Sequence, residues 1–186
     1  PSLAHPFGTD SFGRDVLTRV LLGGRVSLAI SIAGVTLAAL AGIPAGLASA
    51  WYGGWTDQIL MRFADLLFSF PSFVLALFLM VVLGFGVTNV ILAIALVYVP
   101  IFARLARNLA LTVREEAYIQ AARLMGQSTP RILAREILPN IVAPILVQSS
   151  ISIAFGVIIE AGLSFLGLGV QPPTPSWGNP TPNSRP

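Results

Sequence analysis

The chain has 186 residues, 55% of them hydrophobic and only 10% charged, with a mean hydropathy of +0.81. A soluble domain carries about 25% charged residues, so this composition excludes an ordinary water-soluble fold and points to lipid as the main solvent. The formal net charge is +3, no lysine occurs, and six of the eleven arginines fall within residues 104–139. Basicity gathered in one segment between apolar runs marks a membrane loop rather than a nucleic-acid surface, and no nucleic acid is expected as a partner. The absence of cysteine excludes disulfides, thiolate metal sites and cysteine nucleophiles. The single histidine, His5, has no ligand-spaced partner near it, so neither a metal site nor a cofactor is expected.

Crossing the hydrocarbon core takes about 20 mostly apolar residues as helix, because lipid satisfies no backbone hydrogen bonds. In chain order, residues 1–25 form a lead-in that starts at Pro1, carries Arg14, Arg19 and Arg25, and shows no signal-peptide pattern before Asp10. A first span is expected over 26–50, ending in Trp51, Tyr52 and Trp55 as interfacial aromatics. The uncharged run 66–102 is too long for one span and is interrupted by Gly84-Phe85-Gly86. It reads as a hairpin of two helices, 63–83 and 89–103. A fourth span is expected over 140–160, after which Gly162, Gly167, Gly169 and the proline-rich stretch 171–175 break the pattern. The fold class is therefore all-α: a polytopic transmembrane helix bundle with four spans.

The arginines of 104–139 place that loop in the cytoplasm. Counting back, the Gly84 turn lies outside, residues 51–62 inside, and the 1–25 lead-in outside or at the interface. An external start without a signal peptide is expected to follow an earlier span. Prolines fall inside the spans at Pro44, Pro71, Pro100 and Pro144, where each removes a backbone donor. Gly42 and Gly46 stand at the small-xxx-small spacing that lets helices approach closely. Near the span ends, Glu160 is expected to reach water or to make an interhelical hydrogen bond, and Arg62 and Asp65 to meet on one helix face.

The basic loop reads as two short helices. The first carries strong helix formers from Glu115 to Met125 and stops at Gly126, the residue suited to a left-handed end. The second has Thr129 as N-cap and Pro130 at its first position, and should stop before Pro139. On the first helix Ala117, Ala121 and Leu124 share a face, with Tyr118, Ala122 and Met125 beside it. Small side chains there permit close docking of a partner; an amphipathic segment resting on the membrane surface is the plainer alternative.

The stretch Gln120-Ala121-Ala122, then Gly126, then Leu138-Pro139 resembles the cytoplasmic EAA loop of ATP-binding-cassette (ABC) importer permeases, with Gln120 in place of Glu and Glu136 in place of Ile. Further segments resemble the dipeptide, oligopeptide and nickel branch of that family: Gly8-Thr9-Asp10 with Gly13-Arg14-Asp15, Gly23 to Leu28, Arg62 to Asp65 with Phe70-Pro71, and Glu160 to Gly169. The resemblance implies a permease domain over 26–178, with the four spans as the second to fifth of six. It also implies that Glu116, Ala117, Gln120, Ala121, Ala122, Met125, Gly126, Leu138 and Pro139 couple the chain to cytoplasmic ABC ATPase subunits. A second permease subunit, an extracytoplasmic solute-binding protein and membrane lipid complete the implied partners, in the inner membrane of a bacterium or archaeon. Residues 179–186 do not resemble the family and are expected to be a truncated or frameshifted tail.

No G-x-x-x-x-G-K-[S/T] motif occurs, so ATP is expected to act through partners. A secondary, ion-coupled transporter is the rival reading, and the spans lack the acidic pair it would use. An intramembrane serine hydrolase fails because no span holds a histidine or lysine base; no catalytic residue is assigned.

Overall fold

A computed structural model describes residues 6–9, 13–171 and 174–179. His5, Asp10 and the tail residues 180–186 lie outside the described residues. Helix α1 (Val16–Tyr52) is followed by α2 (Gly54–Phe68), α3 (Ser72–Leu83), α4 (Val87–Arg114), α5 (Ala117–Leu124) and α6 (Thr129–Ile132). A π-helical turn, Leu133–Ile137, then leads into α7 (Leu138–Phe165). Among the described residues α1, α4 and the continuous helix Thr129–Phe165 are each long and apolar enough to cross a membrane. The fourth apolar segment is α2 with α3, bent by 94° at the break between them.

The helices differ from the sequence expectation at their ends, each time for a local reason. Helix α1 begins ten residues early because Asp15 caps it: its carboxylate accepts from the Thr18 backbone N–H at 2.9 Å and the Thr18 hydroxyl at 2.6 Å. The expected single helix 63–83 is two helices. Pro71 lacks a backbone donor and pushes Phe70 out of the helical region, while the Ser69 hydroxyl turns back to the Leu66 carbonyl at 2.6 Å. Helix α4 runs on through Arg104 to Arg114, so the first third of the basic segment is helix rather than loop. The expected stop before Pro139 does not occur. The π-helical turn ends two residues before Pro139 and absorbs the missing donor and the ring's clash with the preceding turn.

The chain divides into two compact units. The first comprises Pro1–Val35, Phe73–Ile94 and Ile153–Pro186. Within it Gly34 lies against Ile94 and Gly162 against the Phe73 ring. The α3–α4 turn has Gly84 and Gly86 at positive φ, tied by the Asn89 amide to the Leu83 carbonyl at 2.7 Å. After α7, Gly167 turns at φ +78, and the chain returns with Trp177 donating from its backbone to Ser27 Oγ at 3.1 Å and from its indole to the Val20 carbonyl at 3.0 Å. Glu160 departs from expectation. It is fully buried and accepts from Ser164 of its own helix at 2.6 Å, while Ser164 Oγ accepts from the Val170 N–H at 3.0 Å. The carboxylate thus organises the turn after α7 instead of reaching water.

The second unit comprises Thr36–Ser72 and Ala95–Ser152. Its central contact is α1 on α4. A Cβ on Gly42 would lie 2.6 Å from the Val99 carbonyl oxygen, and one on Gly46 would overlap the Ala103 carbonyl. The small-xxx-small pair is therefore a backbone-to-backbone contact. On α7, Leu146 and Val147 are exposed, the face of a helix that meets lipid or a neighbouring span. Replacing Gly46 by Ala should force the two backbones apart and destabilise the chain by about 1–3 kcal/mol. Thermal unfolding in detergent measures it, and an unchanged midpoint would refute the close contact.

Candidate functional site

The segment joining α4 to α7 is built on an apolar underside. Ile119 and Ala122 of α5, Ile132 of α6, Ile137 of the π-helical turn and Ile141 of α7 are all buried. The opposite side of α5 is open. Ala117, Gln120 and Ala121 are exposed, as are Tyr118, Met125 and, at 90%, Leu124. A helix this short has little stability of its own and is held by that underside.

Both ends of α5 are defined by backbone. Glu116 is the N-cap residue, and its carbonyl accepts from the N–H groups of Ile119 at 3.1 Å and Gln120 at 3.2 Å. At the far end Gly126 stands at φ +75. Its N–H donates to the Arg123 carbonyl at 3.0 Å, and the Gln127 N–H donates to the Ala122 carbonyl at 3.1 Å. These two bonds make a Schellman motif, whose left-handed residue is glycine because a Cβ there is strained. The space around Gly126 is open: a Cβ at this position would meet nothing within 4 Å. Strain, and not crowding by this chain, sets the residue.

The residues singled out from the motif divide accordingly. Glu116, Ala117, Gln120, Ala121, Met125 and Gly126 come together on the exposed side of α5 and its turn. Ala122 does not: it is 4% exposed and packs inward beside Ile119. Leu138 is half-buried and Pro139 exposed at the start of α7. The N-cap of α6 is Ser128, not Thr129, whose hydroxyl is engaged elsewhere.

That engagement is with the end of α1. The Trp51 indole N–H donates to Thr129 Oγ1 at 3.2 Å, and the Arg123 guanidinium lies 3.9 Å from the Trp51 ring centroid. One residue earlier on α1, the Ala50 carbonyl accepts from Arg114 at 2.6 Å, the favoured placement of a cation at a helix C-terminus. Tyr52 and Trp55 are exposed as interfacial aromatics should be, but Trp51 is half-buried against the protein.

Charge pairs brace the same unit. Arg107 grips Asp57 with two charge-assisted bonds of 2.5 and 2.6 Å, and the Ser49 hydroxyl also donates to Asp57. Asp65 pairs with Arg104 of α4, not with Arg62 as expected, and Arg104 also lies 4.4 Å over the Phe68 ring. Sequence pattern alone gives these partners one faint signal. Asp57 is the only acidic residue between Asp15 and Asp65, and a lone carboxylate beside apolar spans calls for a cation.

These features define a class: a multi-span helical membrane protein whose last two long helices are joined by a short helical segment with one side exposed. Residues 42–185 match the family of binding-protein-dependent transport system inner membrane components, and the chain belongs to that family. It is thus a multi-pass inner-membrane component of a transport system, not an enzyme. The match reaches into the tail that the motif comparison set apart.

The chain is 43% identical over 185 residues to a dipeptide transport system permease protein of Alkalihalophilus pseudofirmus, covering 100% of this chain and 61% of the relative. It is 47% identical over 178 residues to a glutathione transport system permease protein of Escherichia coli O157:H7, covering 96% of this chain and 59% of the relative. The chain spans about three fifths of the length of these curated relatives. Among solved structures, inward-facing conformations of the MetNI methionine ABC transporter align with a TM-score of 0.69 at 20% identity, over 83% of this chain and 76% of that one. At that identity the likeness is one of fold.

The Arg107–Asp57 pair is about three-quarters buried, so Asp57→Asn or Arg107→Leu should lower stability by about 1–3 kcal/mol. Asp65→Asn, at a pair about half exposed, should cost under about 1 kcal/mol. Denaturant midpoints in detergent rank the variants, and equal losses at the two sites would contradict this account.

Proposed function

We propose that the chain is a permease subunit of an ABC importer, forming part of the translocation pathway for peptides or similar small solutes. It pairs with a second permease subunit, receives solute from an extracytoplasmic binding protein, and is driven by cytoplasmic ATPases that grip α5. The observation that carries this reading is the exposed face of Ala117, Ala121 and Leu124, presented on a helix whose end is fixed by the Gly126 turn. Small residues allow a partner's groove to close on the helix, and Leu124 and Met125 supply apolar area for it to bury. Glu116, Gln120 and Gly126 shape the two ends of that face, while Leu138 and Pro139 join it to α7. Ala122 serves from beneath, as part of the apolar underside. The dipeptide and glutathione systems among its relatives support small peptides as the solute class.

In this reading residues 104–139 face the cytoplasm, residues 26–178 form the permease domain, and the Gly84 turn faces outward. A reporter inserted after Gly126 should read cytoplasmic and one at Gly86 external; the opposite pattern would overturn the orientation. Gly126→Asp adds left-handed strain of about 1 kcal/mol or more and a charge on the docking side, and Ala121→Glu adds bulk and charge to the docking face. In the intact transporter, at matched protein level, both variants should insert normally but lose ATPase co-purification and dipeptide uptake. Ala134→Ser, away from that face, should be mild. Variants that accumulate, retain the ATPase and transport normally would reduce the segment to a surface linker.

A further inference from the structure

We infer that the last turn of α1 is where movement of α5 enters the membrane-spanning helices, with Trp51 as the positioning residue that joins them. This rests on the reading of α5 as the ATPase contact. A push on α5 does useful work only if it reaches a span without slipping. The buried contacts of Ile119 and Ala122 hold α5 down, but apolar contact is non-directional and lets surfaces slide. The contacts of Trp51 are directional. Its ring carries the Arg123 guanidinium of α5 itself, and its N–H is fixed on Thr129, the first residue of the helix that becomes α7.

The indole is therefore held from both sides of the Gly126 turn, and Arg114 fixes the adjoining Ala50 carbonyl from the end of α4. A tryptophan serving only as a membrane anchor would leave its ring free for lipid headgroups; the Trp55 ring is left open in this way, at 81% exposure. Trp51 instead presents both its face and its donor to the loop. Because it is rigid, with two side-chain torsions, a displaced α5 carries α1 with it.

The test uses the intact transporter, with its ATPases and binding protein, in proteoliposomes given radiolabelled dialanine or glutathione. For Trp51→Ala, solute taken up per ATP hydrolysed should fall about tenfold, within the range of measured coupling between sites, while ATPase co-purification stays at the wild-type level. Trp51→Phe keeps a ring for Arg123 and loses only the N–H. It and Thr129→Val should each give a smaller loss, and the two together no more than either alone. Unchanged uptake per ATP in Trp51→Ala would overturn the inference. So would loss of co-purification in that variant, which would make Trp51 a residue that shapes α5 for docking. Retention of the ATPase by Gly126→Asp and Ala121→Glu would tell instead against α5 as the docking helix.

These 186 residues hold no cysteine, and in a transporter cleared of cysteine elsewhere a second arm does not depend on how well Trp51→Ala folds. With cysteines placed by Trp51→Cys and Thr129→Cys, uptake should be low, and a short bis-thiol cross-linker joining the pair should restore it. Verified cross-linking that leaves uptake low, or abolishes it, would show that the two helices do not move together.

Discussion

Lipid offers a peptide group no hydrogen-bond partner, and every span here is shaped by that constraint. It makes each crossing a helix, and it makes any break in a helix a place where freed backbone groups must be answered. The break at Pro71 is answered by the Ser69 hydroxyl and a 94° bend. The missing donor of Pro139 is met by a π-helical turn within a helix that continues to Phe165. The turn at Gly84 is closed by the Asn89 amide. Without water, helices associate through shape, and the bare backbones at Gly42 and Gly46 bring α1 onto α4 more closely than any side chain would allow.

Charge organises the ends of those helices. Arg107 with Asp57, Arg104 with Asp65 and Arg114 with the Ala50 carbonyl are all contacts between segments far apart in sequence. Each links the α1–α2 region to α4. The six arginines of residues 104–139 therefore have a structural part as well. Three of them fasten the end of α4 to the end of α1 and to α2, leaving α5 as a small platform on a braced base.

Much of this was legible in the sequence because the governing patterns are one-dimensional. Apolar length located the three helices long enough to span and the apolar segment that breaks into α2 and α3, and the glycines at 84, 86 and 126 marked turns that only positive φ makes. Helix ends were less legible. Capping by Asp15 and the π-helical turn before Pro139 depend on side-chain and backbone contacts that composition does not encode, so α1 and α7 run longer than their apolar cores. Pairings across space were the least legible. Spacing alone joins Asp65 to Arg62, whereas the fold supplies Arg104; Trp51 reads as an interfacial anchor until Arg123 and Thr129 are brought to it. Helical periodicity put Ala122 beside the exposed face of α5, and the underside of the helix claimed it.

The proposed ATPase contact of α5 is open to direct observation. These 186 residues hold no cysteine, so in a transporter cleared of cysteine elsewhere Leu124→Cys places a single thiol at the most exposed large hydrophobic position of that helix. Coupled to a short photo-reactive group in the intact transporter, it should cross-link the ATPase subunit, and do so more strongly when nucleotide closes the ATPase pair. Cross-links confined to lipid or to the permease itself, with the ATPase present and active, would contradict it.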